Sequence, residues 1–195
     1  MAEKESNKLR TPLFRAAFAS VFAKRTYEDG EAKYELTLLF PKSGKDKANL
    51  KVLKAAATAA AIEKWGSKDK IPKGFKSPFR DGDDTEWDGF EGHTFVRVSS
   101  LYRPKIINRE GVELMTDEEF YAGCWAYATV NAYGYDTKGN KGVSFGLQNL
   151  IFIRDDEPFS GKSSAEDDFS DLMEEGDGGN DGGSTDDDDD GGMFD

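Results

Sequence analysis

Cys124 to Tyr135, CWAYATVNAYGY, followed by Asp136-Thr137-Lys138-Gly139-Asn140-Lys141-Gly142 and then Val143 to Ile153, VSFGLQNLIFI, decides the fold class. Even positions of the first stretch carry Cys124, Ala126, Ala128, Val130, Ala132 and Gly134, whereas odd positions carry Trp125, Tyr127, Thr129, Asn131, Tyr133 and Tyr135. Side chains alternate across a strand, so one face is small and the other aromatic and polar. The glycines at 139 and 142 supply turn chemistry, and the second stretch returns as a strand with Val143, Phe145, Leu147, Ile151 and Ile153 on one face. A long hairpin with short inward side chains suits a small, strongly bent barrel.

Upstream, Thr11 to Arg25 places Phe14, Phe18 and Phe22 at a spacing that fits a helix or one strand face, and we read it as a strand broken near Ala19-Ser20. Lys33 to Phe40 (KYELTLLF) is a second strand, preceded by the turn Glu28-Asp29-Gly30 and stopped at Pro41. The two form a hairpin. Asp46 to Trp65 predicts the main helix, with Asp46 as N-cap, Leu50, Leu53, Ala57 and Ala60 on one stripe, and Gly66 past its end. Residues 67–92 are a long irregular segment, and His93 to Leu101 is a further strand. Thr116-Asp117-Glu118-Glu119 has the form of a capping box opening a short helix that Gly123 ends. The count is five or six strands and one substantial helix, a mainly β chain with an OB-fold-like barrel.

Charge divides the chain. The net −12 of the whole splits into −16 for residues 155–195, with 17 acidic side chains and one lysine, and +4 for residues 1–154. We therefore expect a flexible N-terminus over 1–11, one domain over 12–154 and a disordered acidic tail over 155–195. A basic body draws polyanions, and the tail competes with them. Asp186, Asp187, Asp188, Asp189 and Asp190 form its densest run, and Phe194 near the end reads as an aromatic contact for a protein partner.

Inventory argues against enzymes. His93 is the single histidine and Cys124 the single cysteine, so neither a nucleophile–base pair nor a thiolate zinc site is marked, and no cofactor or metal is implied. The carboxylates Asp81, Asp83, Asp84, Glu86 and Asp88 keep a metal-dependent nuclease open as an alternative. No apolar run approaches a bilayer span, and no signal layout begins the chain, so a membrane is not an expected partner and a reducing, cytosolic setting is.

Binding unpaired nucleic acid needs cations for phosphates and flat rings for bases. Candidate cations are Lys73, Lys76, Arg80, Arg97 and Arg103; candidate rings are Trp125, Tyr127, Tyr133 and Tyr135, with Tyr102 beside Arg103. Phe75 and Phe79, interleaved with the lysines, serve either stacking or the core under a long loop. An RNA-binding OB protein would use the same face, and an acidic decoy would act through the tail alone.

Phe14-Arg15, Tyr34 to Lys42 (YELTLLFPK), Lys64-Trp65-Gly66, Arg80-Asp81-Gly82-Asp83, Arg103-Pro104, Tyr121-Ala122-Gly123, Tyr133 and Gly142-Val143-Ser144 with Leu147 and Asn149 occur in an order that resembles the single-stranded DNA-binding proteins of tailed bacteriophages. The resemblance spans Thr11 to Gly161. It departs at Ala122, where that family usually has serine, and at Ala19-Ser20, where it often has proline. The resemblance implies an OB fold and sequence-nonspecific coating of single-stranded DNA in phage replication, recombination and repair, inside the infected bacterial host. It also implies an acidic tail recruiting polymerase, helicase-primase, nuclease or recombinase partners. A homodimer is one assembly the sequence allows.

Overall fold

A computed structural model describes residues 7–28 and 30–159. The predicted tail contacts at Asp186 to Asp190 and Phe194 lie outside the described residues. The elements are β1 (Lys8–Arg10), β2 (Phe14–Arg25), β3 (Lys33–Pro41), α1 (Lys51–Trp65), β4 (Phe79–Asp81), β5 (His93–Ser100), β6 (Lys105–Ile107), β7 (Trp125–Thr137) and β8 (Asn140–Arg154). Three of the strands, β1, β4 and β6, are three residues long, which is why the sequence count fell short of eight.

The two-residue turn at Lys138-Gly139 has φ of 50° and 83°, the twist that joins two antiparallel strands tightly. From it β7 pairs with β8 along nearly their whole length. β7 also pairs with β2, β2 with β3, β3 with β5, and β5 with β8, so five strands return on themselves as a ring. The β5–β8 seam is parallel and only two residue pairs long, Val98 with Phe145 and Ser99 with Gly146. A five-stranded ring with a short parallel seam is the OB arrangement, mainly β with one substantial helix as expected.

The interior holds Phe14, Ala16 and Val21 from β2, Leu36, Leu38 and Phe40 from β3, Val96 and Val98 from β5, Ala126, Ala128 and Val130 from β7, and Val143, Phe145, Leu147 and Leu150 from β8. Alanines on β7 face the bulky rows because the ring is too narrow for large side chains on every strand. Each fully buried Leu, Val or Phe contributes about 1.5–3 kcal/mol. α1 covers the ring with Leu53, Ala57, Ala60 and Ala61, and it approaches so closely that a Cβ at Gly134 would collide with the Lys64 side chain.

Five expectations about the fold need correction. The N-terminus expected to be flexible over 1–11 is tied down from Lys8, because Lys8–Arg10 pair with β7 and buried Thr11 exchanges hydrogen bonds with Ala128. The helix begins at Lys51, not near Asp46; Leu50 occupies the N-cap without a side-chain bond, and Asp46 instead accepts a hydrogen bond from Arg154 at 2.8 Å. Its end is as expected, with Gly66 at φ 88° donating to the Ile62 carbonyl. At Thr116 only half of the capping box forms, Glu119 accepting from the Thr116 amide and hydroxyl while the Glu119 amide donates to the Thr116 carbonyl, and the bonds close a turn that no helix follows. On β8, Leu147 opposes Val130 while Asn149 opposes Thr129, so Gln148 is an extra residue. Parity flips there, and Leu150 and Phe152 continue the inner row in place of Ile151 and Ile153.

The last correction concerns the boundary at 154. Residues 155–159 fold back over the ring as a strap: Asp156 accepts from Trp125 Nε1 at 2.7 Å, Arg15 donates to the Glu157 carbonyl at 2.6 Å, and the Phe159 amide donates to the Ala122 carbonyl at 3.0 Å. The packed body therefore extends to Phe159. Among the described residues no helix is long and apolar enough to cross a membrane.

Candidate nucleic-acid interface

Residues directly opposed in an antiparallel ladder share a face. The pairs Leu39–Phe95, Thr37–Arg97 and Glu35–Ser99 therefore put a continuous row on the outside of β3 and β5, and Ala17 joins it opposite Thr37. Part of this outer face is apolar. Ala17, Leu39, Phe90 and Phe95 are buried in a second cluster outside the ring, with Phe159 packed against it. Trp87 lies over that cluster, edge-on to Phe90 at 5.1 Å and to Phe95 at 6.1 Å between centroids.

A bulge completes the site. Ala17 opposes Thr37 and Ser20 opposes Glu35, so β2 spends three steps where β3 spends two. Strict alternation would send Phe18 into the ring. The extra residue turns it outward with φ 46°, a left-handed conformation that a phenylalanine adopts only when its surroundings hold it. Here it meets Trp87 edge-on at 5.3 Å and remains 44 % exposed.

Phe18, Trp87 and Arg25 line two adjoining clefts of about 370 and 460 Å³ and so form a ridge between halves of one groove. The first half adds Tyr27, Glu35, Arg97 and Ser144; the second adds Asp88, Ala122 and Phe159. Trp87 and Tyr27 are 42 % and 45 % exposed, so both offer free ring surface. Each has a guanidinium over it, Arg97 at 5.4 Å from the Trp87 centroid and Arg25 at 5.2 Å from that of Tyr27. Beyond the groove, Arg103 lies 5.6 Å from the Phe22 ring and Lys24 5.7 Å from Tyr34. Tyr27 donates its hydroxyl hydrogen to Glu35 at 2.6 Å, which holds its pKa above the ordinary phenol value, and the ring stays neutral. Paired rings and cations can stack unpaired bases while neutralising phosphates.

Of the residues singled out from sequence, Arg97 lines the groove, Arg80 is exposed on the same outer face opposite Phe95, and Tyr102 is 82 % exposed beside Arg103. Tyr133 is exposed one strand further round, opposite Ser144. Tyr127 is half-buried with Arg10 over its ring at 5.9 Å, and the Tyr135 hydroxyl lies 2.7 Å from where a Cβ at Gly142 would be, too close for any side chain there. Phe75 and Phe79 pack against the main core, edge-on to Trp65 and Phe145 respectively. Lys73 is exposed, and Lys76 donates to Asn140 at 2.7 Å.

Trp125 is the correction. It is 6 % exposed, with Asp156 on its indole nitrogen and the Arg154 guanidinium 4.5 Å from its ring. It keeps the outward parity that its odd number implied, opposite Arg15, but the strap of residues 155–159 lies over it and buries it there. The groove residues that sequence reasoning missed are Phe18, Arg25, Tyr27 and Trp87. Trp87 had a signal, since a tryptophan in a Gly- and Asp-rich loop has no strand or helix face to bury it.

The start of the acidic loop is a structural tie. Lys42 pairs with Asp81 and, at 2.6 Å, with Asp83, and these bonds hold both carboxyls below the usual range. A lysine ammonium thus stands where a nuclease metal would have to gather these carboxylates. Cys124 is buried, and burial pushes its thiol up to about 12, far from an activated nucleophile.

The strap carries a pH signature. The Trp125 bond, with Arg15 and Arg154 nearby, lowers the Asp156 pKa against the cost of burial. A carboxyl depressed in the folded state stabilises the fold above its unfolded pKa of about 3.9 and loses that contribution as pH falls through the folded value. Asp156→Asn should therefore flatten the acid limb of thermal stability. Because the carboxylate is partly solvent-screened, the expected gap closing between neutral and acid pH is about 1–3 °C by calorimetry.

The fold and the groove define an OB-type protein with an exposed aromatic–arginine cleft. Residues 7–179 match the family described as the Enterobacter phage Enc34 ssDNA-binding protein, and this chain belongs to that family. A relative from Acyrthosiphon pisum secondary endosymbiont phage 1, putative protein p50, is 36 % identical over 176 residues, covering 85 % of this chain and 94 % of that one. The single-stranded DNA-binding protein of bacteriophage Enc34, solved in complex with ssDNA, superposes with a TM-score of 0.68 at 24 % identity, over 80 % of this chain and 91 % of that one. The bacteriophage T7 single-stranded DNA-binding protein gp2.5 superposes at 0.53 and 14 % identity, over 84 % and 99 %. These two likenesses are of fold.

Proposed function

We propose that this chain is a non-enzymatic, sequence-tolerant binder of single-stranded DNA that coats unpaired strands during phage replication and recombination. The observation that carries the reading is the groove of Phe18, Tyr27 and Trp87 with Arg25 and Arg97 on its rings. Membership of the Enc34 family supports DNA as the polyanion. Bases stack on the rings, Arg97, Arg25 and Arg80 neutralise phosphates, and Arg103, Tyr102 and Tyr133 extend the track on either side. RNA offers the same charges and rings, so equal-length DNA and RNA oligonucleotides in competition decide between them.

The acidic segment beyond Ser160 is the second half of the proposal. It carries 14 of the chain's acidic side chains and one lysine, covalently tethered to a DNA-binding body, at an effective concentration on the order of millimolar. It competes with DNA for the cations, and once displaced it offers Asp186 to Asp190 and Phe194 to replication proteins. Removing residues 161–195, which spares the strap, should tighten oligo(dT) binding and steepen its salt dependence, read by tryptophan fluorescence at two salt concentrations. Isotherms identical to those of the full chain would eliminate competition by the tail; no saturable binding by either protein would eliminate the DNA reading itself.

A further inference from the structure

Two carboxylates line the groove against a polyanion, Asp88 in one half and Glu35 in the other, and Glu35 is the one held beside the exposed rings and arginines. Glu35 lies on the outer face of β3 opposite Ser99, lines the same cleft as Arg25 and Arg97, and places a carboxylate where phosphates are to be neutralised. No ion pair among the described residues involves it. It is nonetheless oriented, because the Tyr27 hydroxyl donates to Oε2 at 2.6 Å. Tyr27 also supplies one of the exposed rings, so the ring on which a base would lie is fixed to the acceptor beside it. An ionised carboxylate has about four acceptor sites, and Tyr27 uses one.

We propose that Glu35 gives one subsite of the groove a preference for bases bearing an exocyclic amino group over thymine. The inference rests on the single-stranded DNA reading above. In an unpaired strand the pairing edge of the base is free to be read. Cytosine presents its N4 amino group, adenine N6, and guanine N1–H beside N2, each a donor that a carboxylate accepts. Thymine presents O4 and O2 on either side of N3–H, so a carboxylate approaching N3–H meets two carbonyl oxygens. The phosphates must then run along the Arg97 side of the cleft, with the base turned toward Glu35. A binder that tolerates all sequences can still hold this bias at a single position.

Oligo(dC) and oligo(dT) of equal length, titrated at mildly alkaline pH where cytosine N3 is unprotonated, test it on the full chain. Both are pyrimidines, so stacking differs little between them. Glu35→Gln keeps an oxygen to accept from Tyr27, removes the charge and gains a donor for thymine O4. The variant should bind both oligonucleotides more tightly, and the ratio of oligo(dC) to oligo(dT) affinity should fall about fivefold. Tyr27→Phe, which releases the carboxylate but keeps the ring, should lower the ratio by less. An unchanged ratio in Glu35→Gln, with Arg97→Ala weakening both oligonucleotides, would overturn the role of Glu35 alone. Binding of both that Arg97→Ala leaves untouched would overturn it together with the groove on which it rests.

Discussion

Replacing Trp87 by alanine should weaken single-stranded DNA binding about tenfold to a hundredfold while leaving the protein folded. The indole is the centre of the ridge shared by both halves of the groove, and 42 % of it is exposed. Base–aromatic stacking is worth about 1–3 kcal/mol per base. Loss of the ring also frees Arg97, which lies over it at 5.4 Å, so one substitution removes a stacking plate and loosens a phosphate contact. The edge contacts of Trp87 to Phe18, Phe90 and Phe95 are the structural cost, about 0.5–1.5 kcal/mol each at most. Trp87→Phe should recover most of the affinity. Arg97→Ala should differ in kind, lowering the salt slope by about 0.7 for the single phosphate released. A Trp87→Ala protein with unaltered affinity for oligo(dT) would exclude stacking on this ridge.

The ring of strands was legible because its signals are local. Alternation over Cys124 to Tyr135 and the Lys138-Gly139 turn need only neighbouring residues to be read, and Gly66 ends its helix by its own backbone freedom. The errors lie where one extra residue shifts a register. Gln148 moved Leu150 inward, and the bulge after Ala17 moved Phe18 outward. Period-two reading cannot see such an insertion, since either parity is self-consistent until the partner strand fixes the count. Which candidate side chains lie open on the outer face is decided by equally distant parts of the chain. Arg80 and Arg97 sit exposed on short strands of unbroken parity, whereas Trp125 has the expected parity but lies under a strap that alternation cannot foresee, and Trp87 lies in a loop with no parity at all. Asp46 failed as a helix cap because Arg154, more than a hundred residues away, competes for its carboxylate.

Trp125→Ala should do the reverse of Trp87→Ala. Its ring is 6 % exposed, and removing a buried tryptophan costs about 3–5 kcal/mol through lost contacts and the cavity left behind. For a domain of this size that is a fall in Tm of about 6–20 °C. The residue joins three parts of the chain, opposing Arg15 on β2 and Arg154 on β8 and donating to Asp156 of the strap. Its loss unfastens Asp156 and with it the acid sensitivity assigned to that carboxyl. Well below the midpoint, affinity for oligo(dT) should stay close to that of the unaltered chain, because no face of the indole reaches the groove. The two tryptophans thus separate stability from binding: calorimetry registers Trp125 and titration registers Trp87. If Trp125→Ala instead kept its Tm and lost its DNA affinity, the strap would have to lift on binding, and Trp125 beneath it would be the stacking surface.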